Sequence, residues 1–385
     1  MQRTIRLRLK PDPQVANAFE QTCLKYTYSF NAVCKIGWDA GLVHNGNALH
    51  SLTYYDQKAE TGLPSQLICA ARVKATEALK SAKALINKGE KATCPQSKWS
   101  PIRYDANSYT VWFNRNELSV ATIDGRKRLP FKLPSFYSQY IQKGWKSCSA
   151  DLCRDKKNRW WLHIVMECAT PELEQSSECV GVDLGIVNVA TDSRGNFYGE
   201  QRWKQVEDKT FQHRRRLQRK GTKSAKRHLK KMSGRQKRFR RDCDHVLSKR
   251  LVESVNKGAT LVFEDLTNIR GRAKGSKTHR RRLHSWSFFQ FQSFVAYKAE
   301  RLGIAIAFVD PRYTSQKCSK CKHRERGNRA SQAEFKCKAC GFECSADINA
   351  AINIREDYWA AVNQPIAGSR ASHDSLASPR ALCRG

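Results

Sequence analysis

Cys179-Val180-Gly181-Val182-Asp183 is the stretch on which the fold turns. A short apolar run behind the polar, acidic segment Pro171 to Ser177 reads as a buried strand after a linker, with Asp183 at its end. Leu261-Val262-Phe263-Glu264 repeats the arrangement, strand first and carboxylate last. Between them Ile186 to Thr191, the turn Asp192-Ser193-Arg194-Gly195-Asn196 and Phe197 to Gly199 predict that Cys179–Asp183 opens a meander of three antiparallel strands. Lys204 to Arg250 is helical and intensely basic, and Gly221 and Ser233-Gly234 are expected to break it. Trp286 to Leu302 reads as a helix and Ile304 to Val309 as another buried strand. The block is α/β.

Carboxylates at strand ends are costly unless solvated, paired or bound to metal. A third acid, Asp347, opens Asp347-Ile348-Asn349-Ala350-Ala351-Ile352-Asn353-Ile354, apolar at helical spacing. Converging, the three would repel unless a divalent cation lay between them. That is the requirement of two-metal phosphodiester chemistry, and oxygen ligands suit Mg2+ or Mn2+. Each acid also has a plainer reading as a surface ion pair or, for Asp347, a helix cap. Of Glu264-Asp265, Glu264 is favoured because it directly follows the apolar run. Asp192 in its turn and Asp310 before Pro311 read as structural.

Cys318-Ser319-Lys320-Cys321 and Cys337-Lys338-Ala339-Cys340 are two Cys-x-x-Cys knuckles separated by fifteen residues. Two such knuckles make a four-thiolate cage for one Zn2+, a closed and therefore structural site. Gly341 supplies the following turn, and Cys344 is a spare.

Seventy Lys and Arg against 35 Asp and Glu leave a net charge of +35. So large an excess opposes compact folding unless a polyanion is the partner, and nucleic acid is the natural one. No apolar run approaches the roughly 20 residues needed to span a bilayer, so a membrane is not expected. The alternating Met1 to Leu7 lacks a signal-peptide core, which points to an intracellular protein with reduced cysteines. Lys204 to Arg250 holds about twenty basic residues against four acids, a nucleic-acid-binding composition. Arg214, Arg215, Arg216, Arg219, Arg238 and Arg241 are its candidate phosphate contacts. Trp286, Phe288, Phe289, Phe291 and Phe294 form an aromatic run able to stack on bases, and helical spacing favours reading Phe291 and Phe294 as core. Asp244-His245 reads as a surface pair.

The N-terminal half is plainer. Arg3 to Leu9 alternates basic and apolar residues as a strand. Val15, Phe19, Cys23, Tyr26, Phe30 and Val33 mark an amphipathic helix. A second helix, about Ser65 to Ile86, buries Leu67, Ala71, Ala75, Leu79 and Ala82, with Lys74 and Lys80 as candidate duplex contacts. Ser108 to Phe113 and Glu117 to Ile123 form a hairpin about Asn114-Arg115-Asn116. Arg159 to Cys168 is a further strand in the same small barrel or sheet. The last 20 or so residues read as a disordered tail.

Together Gly181-Val182-Asp183-Leu184-Gly185, the basic region ending Asp244-His245, Phe263-Glu264-Asp265-Leu266, Val309-Asp310-Pro311-Arg312-Tyr313-Thr314-Ser315-Gln316-Lys317-Cys318, Cys340-Gly341 and Asp347-Ile348-Asn349-Ala350-Ala351 resemble the TnpB family of transposon-encoded nucleases. The match covers residues 178–356; the N-terminal half fits in layout only. The resemblance implies an RNase H-like (RuvC) nuclease domain, 178–310 and 346–360, with a zinc ribbon inserted at 311–345. It implies a helical recognition domain at 11–103 and a β-barrel wedge from 1–10 and 104–172, and it assigns no role to Cys344 or to the tail, 361–385. It further implies an RNA-guided, Mg2+- or Mn2+-dependent DNA endonuclease of the prokaryotic cytoplasm, related to type V CRISPR effectors. Two catalytic ions would sit on Asp183, Glu264 and Asp347, and one Zn2+ on Cys318, Cys321, Cys337 and Cys340. The implied partners are a guide RNA from the transposon end and double-stranded target DNA, with a monomer favoured. The alternatives are a nuclease-silent RNA-guided regulator, a strand transferase on the same fold, and a zinc-ribbon RNA binder without chemistry.

Overall fold

The computed structural model describes residues 1–43, 45–172, 176–185, 188–267 and 288–363. The expected features at Trp286, Ile186 and nearly all of the C-terminal tail lie outside them. The chain divides into two compact units, Met1–Ala169 and Thr170–Gly385.

In the first unit β1 (Gln2–Leu9) buries Ile5, Leu7 and Leu9 and turns Arg6 and Arg8 outward, as its alternation requires. Helix α1 (Pro13–Asp39) starts where Asp12 accepts a bond from Val15 N at 2.8 Å, and it buries Phe19, Cys23, Tyr26, Phe30 and Val33. Helix α2 (Gly46–Thr61) carries no apolar period in the sequence, because its buried face is Leu49, Thr53, Gln57 and Thr61, mostly polar. Its ends were legible: Asn45 caps it, and Gly62 closes it at φ 66°. Helix α3 (Ser65–Asn87) buries the five residues expected.

Then come β2 (Ile102–Tyr104), β3 (Tyr109–Trp112), β4 (Glu117–Thr122), β5 (Gly125–Pro130), α4 (Ser135–Gln142), β6 (Lys146–Arg154) and β7 (Trp160–Glu167). They form two sheets, β1-β7-β6-β2 and β3-β4-β5. The expected hairpin and the Trp160–Glu167 strand therefore belong to separate sheets. Both sheets nonetheless share one apolar core with α1 and α3.

The second unit is built on β8 (Cys179–Asp183), β9 (Ala190–Asp192), β10 (Phe197–Tyr198), β11 (Thr260–Glu264) and β12 (Ala305–Val309), in the order β10-β9-β8-β11-β12. The first three are antiparallel, and β11 runs parallel to both β8 and β12. Strand β12 is half-buried rather than buried: it pairs with β11 at the sheet edge, and Phe308 is exposed. Helix α5 (Gln201–Lys220) ends at Gly221 at φ 62°, as expected. Ser233-Gly234 does not break the next helix, α6 (Lys223–Glu253). A helical glycine costs about 1 kcal/mol, which strong helix formers on either side and tertiary packing offset.

The inner end of α6 and α7 (Phe288–Leu302) cover one face of the sheet, with Leu247, Leu251, Phe291 and Val295 against Val180 and Val182. Side chains alternate along a strand, so Gly181 faces the other way, toward α8 (Ala346–Val362). A Cβ there would lie 2.1 Å from Ala351 O and 2.6 Å from Arg355 N. Both obstacles are backbone of α8. Gly181→Ala is therefore expected to cost about 3 kcal/mol, or roughly 10 °C in melting temperature. An unchanged melt would refute this account of the helix–strand contact.

Asp244-His245 is not a surface pair. Asp244 is buried and accepts from Gln290 Nε2 at 2.6 Å. His245 stacks on Phe294 at 3.8 Å, and burial, then Lys298 and Arg241, push it down to about 4. Two short strands, β13 (Glu334–Lys336) and β14 (Glu343–Ser345), pair before α8. Among the described residues no helix is long and apolar enough to cross a membrane.

Candidate active site

Register fixes the first two acids. Phe263 pairs with Val182 in parallel strands, so Glu264 and Asp183 sit side by side at the carboxyl ends of adjacent strands. Asp347 comes to them from the first turn of α8. Burial, and then the charges of Glu264 and Asp347, push the Asp183 carboxyl well above the ordinary carboxylate range. Burial also raises Glu264, opposed by a hydrogen bond from Thr314 Oγ1 and by Arg329. Asp347 Oδ2 accepts from Asn188 Nδ2 at 3.0 Å, and Arg329 Nη2 stands 3.8 Å from its Oδ1. Asp265 is turned outward, its Oδ1 accepting from Thr267 N at 3.0 Å. Three acids with one nearby guanidinium leave excess negative charge in a buried place, which suits hard divalent cations.

Asn188, Thr314 and Arg329 are the site residues that reading the sequence missed. Asn188 and Thr314 are uncharged, and Arg329 is one of seventy basic residues. Nothing local marks any of them; only folding brings them to the acids. Asp192 is structural, holding its own turn through Arg194 N, Asn196 N and Tyr198 OH. Asp310 likewise accepts from Arg312 N at 2.9 Å.

The four cysteines expected to form a cage do come together, every sulfur within 4.8 Å of the others. Cys318 and Cys340 are 3.8 Å apart, Cys321 and Cys337 3.5 Å. Bonds of about 2.3 Å at tetrahedral angles put sulfurs about 3.8 Å apart, so the cluster fits zinc. Each knuckle ends in a left-handed residue, Lys322 at φ 65° and Gly341 at φ 71°. The backbone N–H of Cys340, with that of Ala339, pulls Cys337 down to about 6 against burial, while the neighbouring cysteines push Cys321 up to about 12, so the sulfurs compete for protons as one group. Cys344 is outside the four and packs in the small ribbon core.

Arg214, Arg215, Arg216 and Arg219 are exposed on α5, and Arg238 and Arg241 on α6. Arg214 Nη1 reaches Gln236 Oε1 at 3.4 Å, and Arg241 lies 5.9 Å from the Phe294 ring centroid. Lys80 is exposed. Lys74 is not available in the way expected: its Nζ donates to Pro101 O at 2.7 Å, and burial lowers it. It ties α3 to the chain entering β2.

Residues 288–354 match a family model described as "Cas12f1-like, TNB domain", and residues 163–270 match one described as "Probable transposase". The chain is similar to the CRISPR-associated endodeoxyribonuclease Cas12f1 of Sulfoacidibacillus thermotolerans, 35% identical over 54% of this chain and 52% of that protein. The TnpB-like protein MJ0751 of Methanocaldococcus jannaschii is 38% identical over 33% of this chain and 45% of its own. The putative RNA-guided DNA endonuclease InsQ of Escherichia coli is 29% identical over 51% and 53%. The chain thus spans about half the length of the curated relatives it matches. In fold it is similar to Cas12f1 in a Cas12f1–sgRNA–target DNA complex, with a TM-score of 0.67 at 16% identity over 89% of this chain and 83% of that one. The mini-RNA-guided endonuclease CRISPR-Cas_phi3 gives 0.57 at 9% identity, over 96% and 94%.

Proposed function

Taking the chain as a relative of the TnpB-like and Cas12f1 proteins, we propose that it is a transposon-encoded, RNA-guided DNA endonuclease. The observation that carries this reading is placement: Asp183 and Glu264 follow the paired residues Val182 and Phe263 of adjacent parallel strands, and Asp347 lies in the first turn of the helix that packs on β8. These acids would hold two Mg2+ or Mn2+ ions. Bound there, such ions activate a water and neutralise the leaving oxygen of a phosphodiester. Asp183 supplies a buried ligand whose charge is tolerated only beside a cation. Asn188 fixes the rotation of the Asp347 carboxylate. Arg329, beside Asp347, presents a guanidinium to a non-bridging phosphate oxygen.

Cys318, Cys321, Cys337 and Cys340 would hold one Zn2+ with no open position, so that metal is structural. The exposed arginines of α5 and α6, with Lys80, would meet nucleic-acid backbone, while base pairing to a guide RNA supplies sequence recognition. Residues 178–310 and 346–360 would be the nuclease domain, with 311–345 its inserted ribbon. The helices of 11–103 and the strands of 1–10 and 104–172 would then serve as recognition and wedge domains. A monomer acting in the prokaryotic cytoplasm is the simplest form.

The test is to purify the full chain from cells carrying its native locus, sequence the RNA that comes with it, and add a plasmid bearing the matching sequence. A discrete RNA with a variable 3′ end, and double-strand breaks that need Mg2+, are expected. RNA and target binding without any cutting would instead favour the regulator.

A further inference from the structure

Three buried polar side chains meet at the turn that leads into the first cysteine knuckle: Thr314 on the turn itself, and Asn349 and Asn353 from α8. Buried polar groups persist where their hydrogen bonds are made, and here the bonds link two sites. Thr314 Oγ1 donates to Glu264 Oε1. The carbonyl of Thr314 accepts from Asn353 Nδ2 at 2.8 Å. That same amide also reaches Lys317 O at 2.6 Å, where Asn349 Nδ2 arrives at 2.8 Å. On the far side of Cys318, Ser319 N donates to Asn349 Oδ1 at 3.0 Å. Both residues flanking the first cage cysteine are therefore gripped by α8, the helix that starts with Asp347. The gripped segment reaches back to Glu264 through the Thr314 hydroxyl, which donates to the carboxylate.

We propose that Thr314 is a positioning residue for Glu264, and that Asn349 and Asn353 pass the state of the cysteine cage to it. The three acids then bind divalent cations tightly only while the cage is closed. No cysteine has to touch the acids for this. The first knuckle sets the Thr314–Lys317 turn, and the turn sets the carboxylate. The proposal rests on the reading of Asp183, Glu264 and Asp347 as a metal site.

The experiment measures Mn2+ affinity of the full chain by electron paramagnetic resonance of free Mn2+, with zinc content determined on the same samples. Thr314→Val, isosteric but without the hydroxyl, is expected to keep its zinc and weaken Mn2+ binding about tenfold. Thr314→Ser, which restores the donor, should bind nearly as the native chain does. Stripping zinc with a zinc-selective chelator should cause a similar loss, reversed by adding Zn2+ back. In Thr314→Val it should cause little further loss, because the two changes break one path. Native Mn2+ affinity in a zinc-loaded Thr314→Val protein overturns the proposal, as do equal losses in the Val and Ser variants. Mn2+ binding that Asp183→Ala leaves untouched overturns the metal-site reading itself, and the proposal with it.

Discussion

On the proposed function, Asp183→Ala is expected to cut target DNA at least about 10^3-fold more slowly than the native chain while still carrying a guide RNA and binding the matching target. Losing a ligand of a catalytic metal forfeits several kcal/mol of transition-state stabilisation, and each 1.4 kcal/mol is about a decade in rate. The fold has no matching need for this carboxylate. Its pKa is raised by burial and by Glu264 and Asp347, so its ionised form works against folding. The sign follows from that direction. A carboxyl raised in the fold favours folding below its unfolded value and loses that contribution as pH rises through the folded value. Without added divalent cation, Asp183→Asn should therefore melt higher than the native chain at pH 8, with a smaller difference at pH 4. Plasmid cleavage and thermal melts at both pH values check this. Cutting at the native rate by Asp183→Ala would remove the acids from the mechanism.

How much of this site could be read beforehand divides along physical lines. Strand-end carboxylates are legible because an acid after an apolar run has a direction as well as a charge. Parallel pairing of Phe263 with Val182 is a long-range fact that local pattern does not contain, yet it is what joins Asp183 to Glu264. The cysteine spacing is self-sufficient, because two knuckles impose their own geometry. Helix α2 was hidden for the opposite reason: its buried stripe is Thr53, Gln57 and Thr61 below Leu49, with little hydrophobic periodicity. Lys74 shows the limit of reading charge as surface, since its ammonium lies over the Tyr26 ring and donates to the Pro101 carbonyl. Asp244-His245 misleads likewise: within a strongly basic helix the pair looks solvated, and only α7 shows that it is packed.

Cys337→Ser should empty the cage, and its effect should be local before it is global. A serine hydroxyl does not ionise near neutral pH, so it cannot replace a thiolate ligand of zinc. The ribbon has little else to hold it. Its buried core is Cys318, Phe335, Cys337 and Ala346, and its two strands are three residues each. A two-stranded hairpin of that size is marginal alone, whereas structural zinc supplies about 10–16 kcal/mol in small domains. The sheet of the second unit keeps its own core from Val180 to Phe291 and does not depend on the ribbon for burial. Zinc content is therefore expected to fall from one per chain to none. Amide exchange should rise sharply across 311–345 while β8 and β11 stay protected. Cys344→Ser is the control: its sulfur lies outside the four-cysteine cluster, so zinc should remain. One zinc per chain in Cys337→Ser would refute the four-thiolate cage. Loss of zinc with undisturbed exchange would show instead that the ribbon folds on its own contacts. With the ribbon melted, Thr314 no longer has a fixed place from which to hold Glu264. Cleavage at limiting Mg2+ should therefore fall in Cys337→Ser even though Asp183, Glu264 and Asp347 are intact.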